Sequence, residues 1–258
     1  MTIKDQWNTS IFHSSPIIRQ LQSLTNNFGQ FNDWPTINEY SELFNKKDVG
    51  IKPVPQSTSI NSFEDQYEPR VYLKNELQTR TYNWHDFFNA LIWLKFPKTK
   101  KTLNKIHYKQ AIKRPVGSNR STLENRITQF DECGAIIITN NRKMLDLIKN
   151  HQWHELFISN QNEFENNLRC VIFGHAMFEK AINPYIGMTC HCILLEDQLL
   201  LDDINNDNYK DLDEKLANIW ENQISSNPQK FNALPLLGIP GYWPVQNEDF
   251  YTNTNYFR

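Results

Sequence analysis

No run of eighteen or so apolar residues occurs in this 258-residue chain, so the signature of a membrane-spanning helix is missing. The opening "MTIKDQWNTSIFHSSP" lacks the apolar core of a secretory leader. A soluble, cytoplasmic protein with no membrane partner is the expectation. Cysteine is scarce: Cys133, Cys170, Cys190 and Cys192 form neither a secreted disulfide framework nor paired CxxC zinc knuckles. Reduced, packed thiols are expected, with Cys190 and Cys192 on one face of a strand. Also missing are the P-loop, GxGxxG, GxSxG and HExxH signatures, which sets aside several common nucleotide and hydrolase motifs. Acid is missing locally, since no Asp or Glu lies between Phe87 and Leu123.

What is present suits a folded chain. Hydrophobic residues at 39% and charged residues at 22% give a globular rather than a disordered balance, and the length supports one substantial core. One domain over residues 1–258 is expected, with 1–80 as a helical and extended wrap, 81–232 as the core and 233–258 as an irregular packed tail. Residues 46–69 read as an extended connection rich in Pro and Ser. Helices are predicted at about 83–96, 98–112, 122–130, 142–150, 162–181 and 209–224. Strands are predicted at 134–139, 188–195 and 199–204, the last two as a hairpin turning at Glu196-Asp197. Many helices with few strands predict an α+β fold, predominantly helical, with a small sheet covered by helices.

Three constellations carry potential chemistry. On the helix that opens "NWHDFFNALIWLKF", His85, Asp86 and Asn89 share one face by their i, i+3 and i+4 spacing. That polar start belongs to an otherwise apolar helix; Asn83 as N-cap with Asp86 at N3 is the plain structural account. In "FDECG", Asp131 and Glu132 follow a predicted helix end near Phe130, where negative charge is disfavoured by about 0.3–1 kcal/mol. A cation, a metal or a substrate would offset that cost. In "FGHAMFEK", His175 and Glu179 are i, i+4, a spacing suited to two metal ligands or to a carboxylate that orients an imidazole. Gly174 marks close approach of another backbone or a ligand. His107, His191 and the His151/His154 pair read as packed residues, a weak metal signal.

Between Lys95 and Arg120 nine Lys or Arg residues stand without an acid, among them Lys98, Lys101, Arg114 and Arg120. Such a field attracts phosphates. Its structural counterpart is a solvated helix face balanced by the acidic run from Glu196 to Glu214. A His-Asp pair on a helix also marks the HD phosphohydrolases; the upstream His which that pattern needs would have to be His13, so the likeness is only an analogy.

Together "NWHDFFNALIWLKFPKTKKTLN", "FDECGAIII", "FGHAMFEK", "PYIGMTCH" and "LPLLGIPGYWPVQNEDFY" resemble the uncharacterised bacterial proteins grouped as DUF3025. The resemblance runs from the His85 helix to the C-terminal residues and implies no reaction.

The residues themselves predict a metal-assisted hydrolase acting on a nucleotide or nucleic acid. His85, Asp131 and His175 are the expected ligands of a divalent Zn, Mn or Mg ion. Asp86, Asp131, Glu132 and Glu179 are the expected acid-base groups, and Asn89, Lys98, Lys101, Arg114 and Arg120 the substrate-binding ones. The rival expectation is a non-catalytic module that binds RNA or an acidic partner, with the His and Asp residues as a buried hydrogen-bond network. A scaffold whose Trp-rich tail binds protein is a third.

Overall fold

The computed structural model describes residues 5–57, 59, 62–115 and 118–258. After single helical turns near residues 9–28, the elements are α1 (Ile37–Lys46), β1 (Lys52–Pro55), α2 (Tyr67–Lys74), β2 (Glu76–Thr79), α3 (Trp84–Lys95), α4 (Pro97–Ala111) and α5 (Thr122–Cys133). There follow β3 (Gly134–Thr139), α6 (Arg142–Lys149), α7 (Gln161–Asn167), β4 (Leu168–Ile172), α8 (His175–Lys180), β5 (Thr189–Glu196), α9 (Gln198–Asn205), α10 (Lys210–Ile219) and β6 (Asn232–Pro235). The fold is α+β. Among the described residues no helix is long and apolar enough to cross a membrane.

The chain divides into two compact units. The first comprises Met1–Phe12, Leu21–Thr128 and Leu212–Gln229. Its centre is α3, which is buried on nearly every side, as a helix apolar all round must be. Asn83 caps it by accepting from the Asp86 N–H at 2.9 Å. Trp84 stacks on Trp7 at 5.1 Å and lies 4.5 Å from Trp34, while Phe87 stacks on Phe12 at 5.8 Å. Pairs of this kind add about 0.5–1.5 kcal/mol each beyond the area they bury. The N-terminal segment is tied to the helix start, because the Trp84 N–H donates to the Asp5 carboxylate at 3.0 Å. The stretch expected as an extended connection contains β1, which pairs in parallel with β2, Lys52 opposite Glu76, with α2 between the two strands.

Pro97 starts α4 in the position where its missing N–H is harmless. Phe96 provides no side-chain cap there, and the need is met by Asp213 of α10, 97% buried. Its carboxylate accepts from the Lys98 N–H at 2.9 Å, the Thr99 N–H at 2.8 Å and the Thr99 hydroxyl at 2.7 Å. Burial raises its pKa, and the bonds from Thr99 and Lys98 oppose that shift. A carboxylate at a helix N-terminus also complements the helix dipole.

The second unit comprises His13–Gln20, Gln129–Asp211 and Lys230–Arg258. Its sheet has the order β4-β3-β5-β6. β3 runs antiparallel to β4 and parallel to β5, and β6 returns antiparallel to β5. All six residues of β3 are buried, as the unbroken run "GAIIIT" requires of a central strand.

Here two expectations are corrected. The helix predicted over 162–181 is three elements: α7, β4 and α8. Phe164, Leu168, Val171 and Ile172 fit a helical period, but Cys170-Val171-Ile172 pairs with Ile137-Ile136-Ala135 of β3, and that pairing overrides the local pattern. The strand predicted at 199–204 is α9, capped by Asp197 accepting from the Leu200 N–H at 3.1 Å. Leu200, Leu201 and Ile204 are buried while Leu199 is exposed, which is helical spacing rather than alternation.

The tail is packed, and where an irregular segment is expected it contributes β6. Leu236 and Leu237 are fully buried. The Tyr256 hydroxyl donates to the Met188 carbonyl at 2.6 Å and accepts from the Leu237 N–H at 2.9 Å. Ending the chain after Asn232 removes most of a sheet strand and this core, so an insoluble or markedly destabilised protein is expected; an unchanged melting temperature in a soluble truncation would contradict it. Asp213→Ala is expected to lower stability by about 2–4 kcal/mol, since it strands buried donors at the start of α4. Urea denaturation measures the loss, and a change below about 0.5 kcal/mol, the level of an ordinary surface substitution, would show that the cap is dispensable.

Candidate metal centre

Four of the singled-out residues lie in the second unit. α5 continues to Cys133, three residues past its expected end, and passes into β3 without a loop. Asp131 and Glu132 therefore occupy its last turn, where the helix carbonyls disfavour them. His175 opens α8 with Glu179 one turn on. What brings these segments together is Gly174. A Cβ on it would fall 2.5 Å from the Cys133 N, the Glu132 O and the Gly134 N, so the approach is that of another backbone. The Gly174 and Phe173 N–H groups both donate to the Gly134 carbonyl, at 2.8 and 3.0 Å.

The approach sets His175, 3% exposed, beside both acids. Its Nδ1 is 3.8 Å from the Asp131 Oδ2, and its Nε2 is 3.7 Å from the Glu132 Oε2. Each ring nitrogen thus faces a different carboxylate. On the same helix the Lys180 Nζ donates to the Cys133 Sγ at 3.4 Å. Burial pulls the Lys180 pKa down, but Cys133 outweighs it with help from Tyr185 and Glu132, and the amine is held above its ordinary value. The sequence reading missed this Lys-Cys pair, because nothing in the spacing of residues 133 and 180 couples them. Burial pushes Cys170 up to about 12 and raises Cys190 and Cys192 well above the ordinary thiol value. All four cysteines are free.

The remaining singled-out residues belong to the first unit. His85 and Asp86 sit in the first turn of α3. The Asp86 carboxylate is gripped by Arg80, whose backbone N–H, Nε and Nη2 donate at 2.7, 3.0 and 2.8 Å. Asn89 is buried; its Nδ2 donates to the Tyr67 hydroxyl at 2.8 Å and its Oδ1 accepts from the Lys100 Nζ at 2.9 Å. Lys100, one of the nine cations of the acid-free stretch, is 3% exposed with its ammonium 5.4 Å from the centre of the Trp93 ring.

Three other cations of the basic stretch have acidic partners. Lys98 meets Glu214 at 3.0 Å, Lys105 meets Glu221 at 2.5 Å, and Arg114 meets the buried Glu124 at 2.8 Å. Lys101 is exposed, and Arg120 donates to the Thr128 hydroxyl at 3.3 Å. His107 is buried, and among the described residues its Nδ1 has no hydrogen-bond partner.

Gly174→Ala is expected to destabilise the protein by about 2–3 kcal/mol or more, because the added methyl meets three backbone atoms that cannot rotate away. Thermal or urea denaturation would show it, and a neutral substitution would mean that the α5–β3 junction yields easily.

No curated protein and no solved structure matches the chain. The family model described as "Protein of unknown function (DUF3025)" matches residues 51–258, and the chain belongs to that family.

Proposed function

We propose that the second unit carries a divalent metal centre and that the protein is a metal-assisted hydrolase. The observation that supports this most is the buried imidazole of His175 with a carboxylate at each ring nitrogen. Four ligands at about 2.1 Å from a tetrahedral ion stand about 3.4 Å apart. The 3.7 Å between the His175 Nε2 and the Glu132 Oε2 is close to that spacing. Asp131, on the far side of the ring, suits the role of the carboxylate that holds Nδ1 protonated and leaves the Nε2 lone pair for the ion. Glu132 thereby takes the ligand role that the sequence assigned to Asp131. A divalent ion in such a centre lowers the pKa of a bound water and polarises an ester. The chain's own part is to fix the ring, hold the ligands and keep Glu179 at hand on α8 for proton transfer.

A phosphate-containing substrate, nucleotide or nucleic acid, is proposed from the acid-free stretch, in which Lys101 is exposed. The acidic partners of Lys98, Lys105 and Arg114 weaken the rival reading of a broad polyanion-binding face. A second reading rests on the same observation: a histidine flanked by Asp131 and Glu132 at 3.8 and 3.7 Å can belong to a buried polar network that holds no ion.

Titration calorimetry with Zn or Mn, together with hydrolysis of bis(p-nitrophenyl) phosphate, separates the two readings. The proposal expects one ion per chain, binding lost in His175→Ala and Glu132→Gln, and weakened about tenfold or more in Asp131→Asn. Hydrolysis should follow metal occupancy. A folded parent protein that binds neither ion, or a His175→Ala variant that binds as well as the parent, would leave the network as the account.

A further inference from the structure

We propose that the second unit contains a separate binding site for a small carboxylate with an apolar body, in the cavity along the outer edge of β4. This inference is independent of the metal centre. β4 ends the sheet, and an edge strand leaves backbone groups that need partners. Gln20 supplies them from its side chain: its Nε2 donates to the Cys170 carbonyl at 2.9 Å, and its Oε1 accepts from the Ile172 N–H at 2.9 Å. Arg169 covers the Leu168 carbonyl. A peptide adding as a further strand would find these positions taken, so strand addition is not the use of this edge.

Beside the strand is a cavity of about 360 Å3, within the size range of ligand sites. Phe164, Leu168, Ile204 and Ile239 give it apolar walls. An apolar cavity of roughly 150 Å3 takes up benzene, so this one has room for a ring and a short chain.

Two donors on its wall are fixed in place and only partly used. Arg169 donates from Nε to the Asn205 Oδ1 at 2.8 Å, and from Nη1 to the Glu165 and Leu168 carbonyls, each at 2.8 Å. Of its five N–H donors, the two on Nη2 have no acceptor among the described residues. The Tyr242 hydroxyl accepts from the Gln20 Nε2 at 2.9 Å. Its own O–H likewise has no acceptor among the described residues, and the bond from Gln20 polarises it toward donation. Burial raises the Tyr242 pKa well above its ordinary value, so the hydroxyl keeps its proton.

A guanidinium edge and a phenol O–H in one apolar cavity match a carboxylate, and the charge-assisted bonds are the strong ones. Glu165, exposed on the wall and accepting from the Gln161 Nε2 at 2.8 Å, disfavours a second negative charge on the ligand.

The test is calorimetry of the intact protein with 3-phenylpropanoate and with 3-phenylpropanol, an uncharged analogue of similar shape. Expected are saturable binding of the acid, about tenfold or weaker binding of the alcohol, and about tenfold weaker binding of the acid to Arg169→Met. Tyr242→Phe should weaken it about threefold to tenfold. Ile204→Phe fills the cavity without touching either donor and should abolish binding; it decides the matter if Arg169→Met does not fold. No binding by the folded parent at about 10 mM acid, equal affinity for acid and alcohol, or undiminished binding by Ile204→Phe would each overturn the proposal.

Discussion

The second unit depends on one close approach, that of Gly174 to the junction where α5 becomes β3. No side chain fits there, since even a methyl group would lie 2.5 Å from three backbone atoms. Two N–H groups converge on the Gly134 carbonyl to hold the contact. The next residue after the glycine is His175, and the two residues before Cys133 on the facing segment are Asp131 and Glu132. Backbone packing, rather than attraction between the charged groups, therefore brings the imidazole to its carboxylates. This fits the energetics, because ion pairing alone rarely repays the removal of such groups from water. It also explains how acids persist in the last turn of α5.

The first unit meets the same constraint by other means. Its α3 is apolar enough to be buried all round, so every polar group near it needs a partner inside. Asp86 has Arg80, Asn89 has Tyr67 and Lys100, and the bare start of α4 has Asp213 from a helix more than a hundred residues later. These assignments give the polar front of the His85 helix a structural reason for Asp86 and Asn89.

Much of this was legible in the sequence. The N-cap at Asn83, the α3–α4 break at Pro97 and the limits of β3 follow from local chemistry: a short polar side chain that accepts from the helix N–H groups, a ring that cannot continue a helix, and an apolar run of strand length. The apolar tail was bound to pack, because Leu236 and Leu237 cannot be left in water. Gly174 announced a close approach without saying to what.

The local pattern could not decide the rest. Residues 168–172 have apolar spacing that suits either a helix or a strand, and β3 settled it by offering a ladder of hydrogen bonds. Lys100 looked like its neighbours in a basic run, yet it is buried because Asn89 and the Trp93 face receive it. The pairing of Lys180 with Cys133, the capping of α4 by Asp213 and the cover that Gln20 gives to β4 join residues 47, 115 and 150 positions apart. The sequence by itself determined which segments must be buried and where helices start, since those follow from hydrophobicity and from unsatisfied N–H groups within a few residues. Only the tertiary structure decided which polar groups meet, because a buried donor takes whatever acceptor the packing of the backbone brings to it.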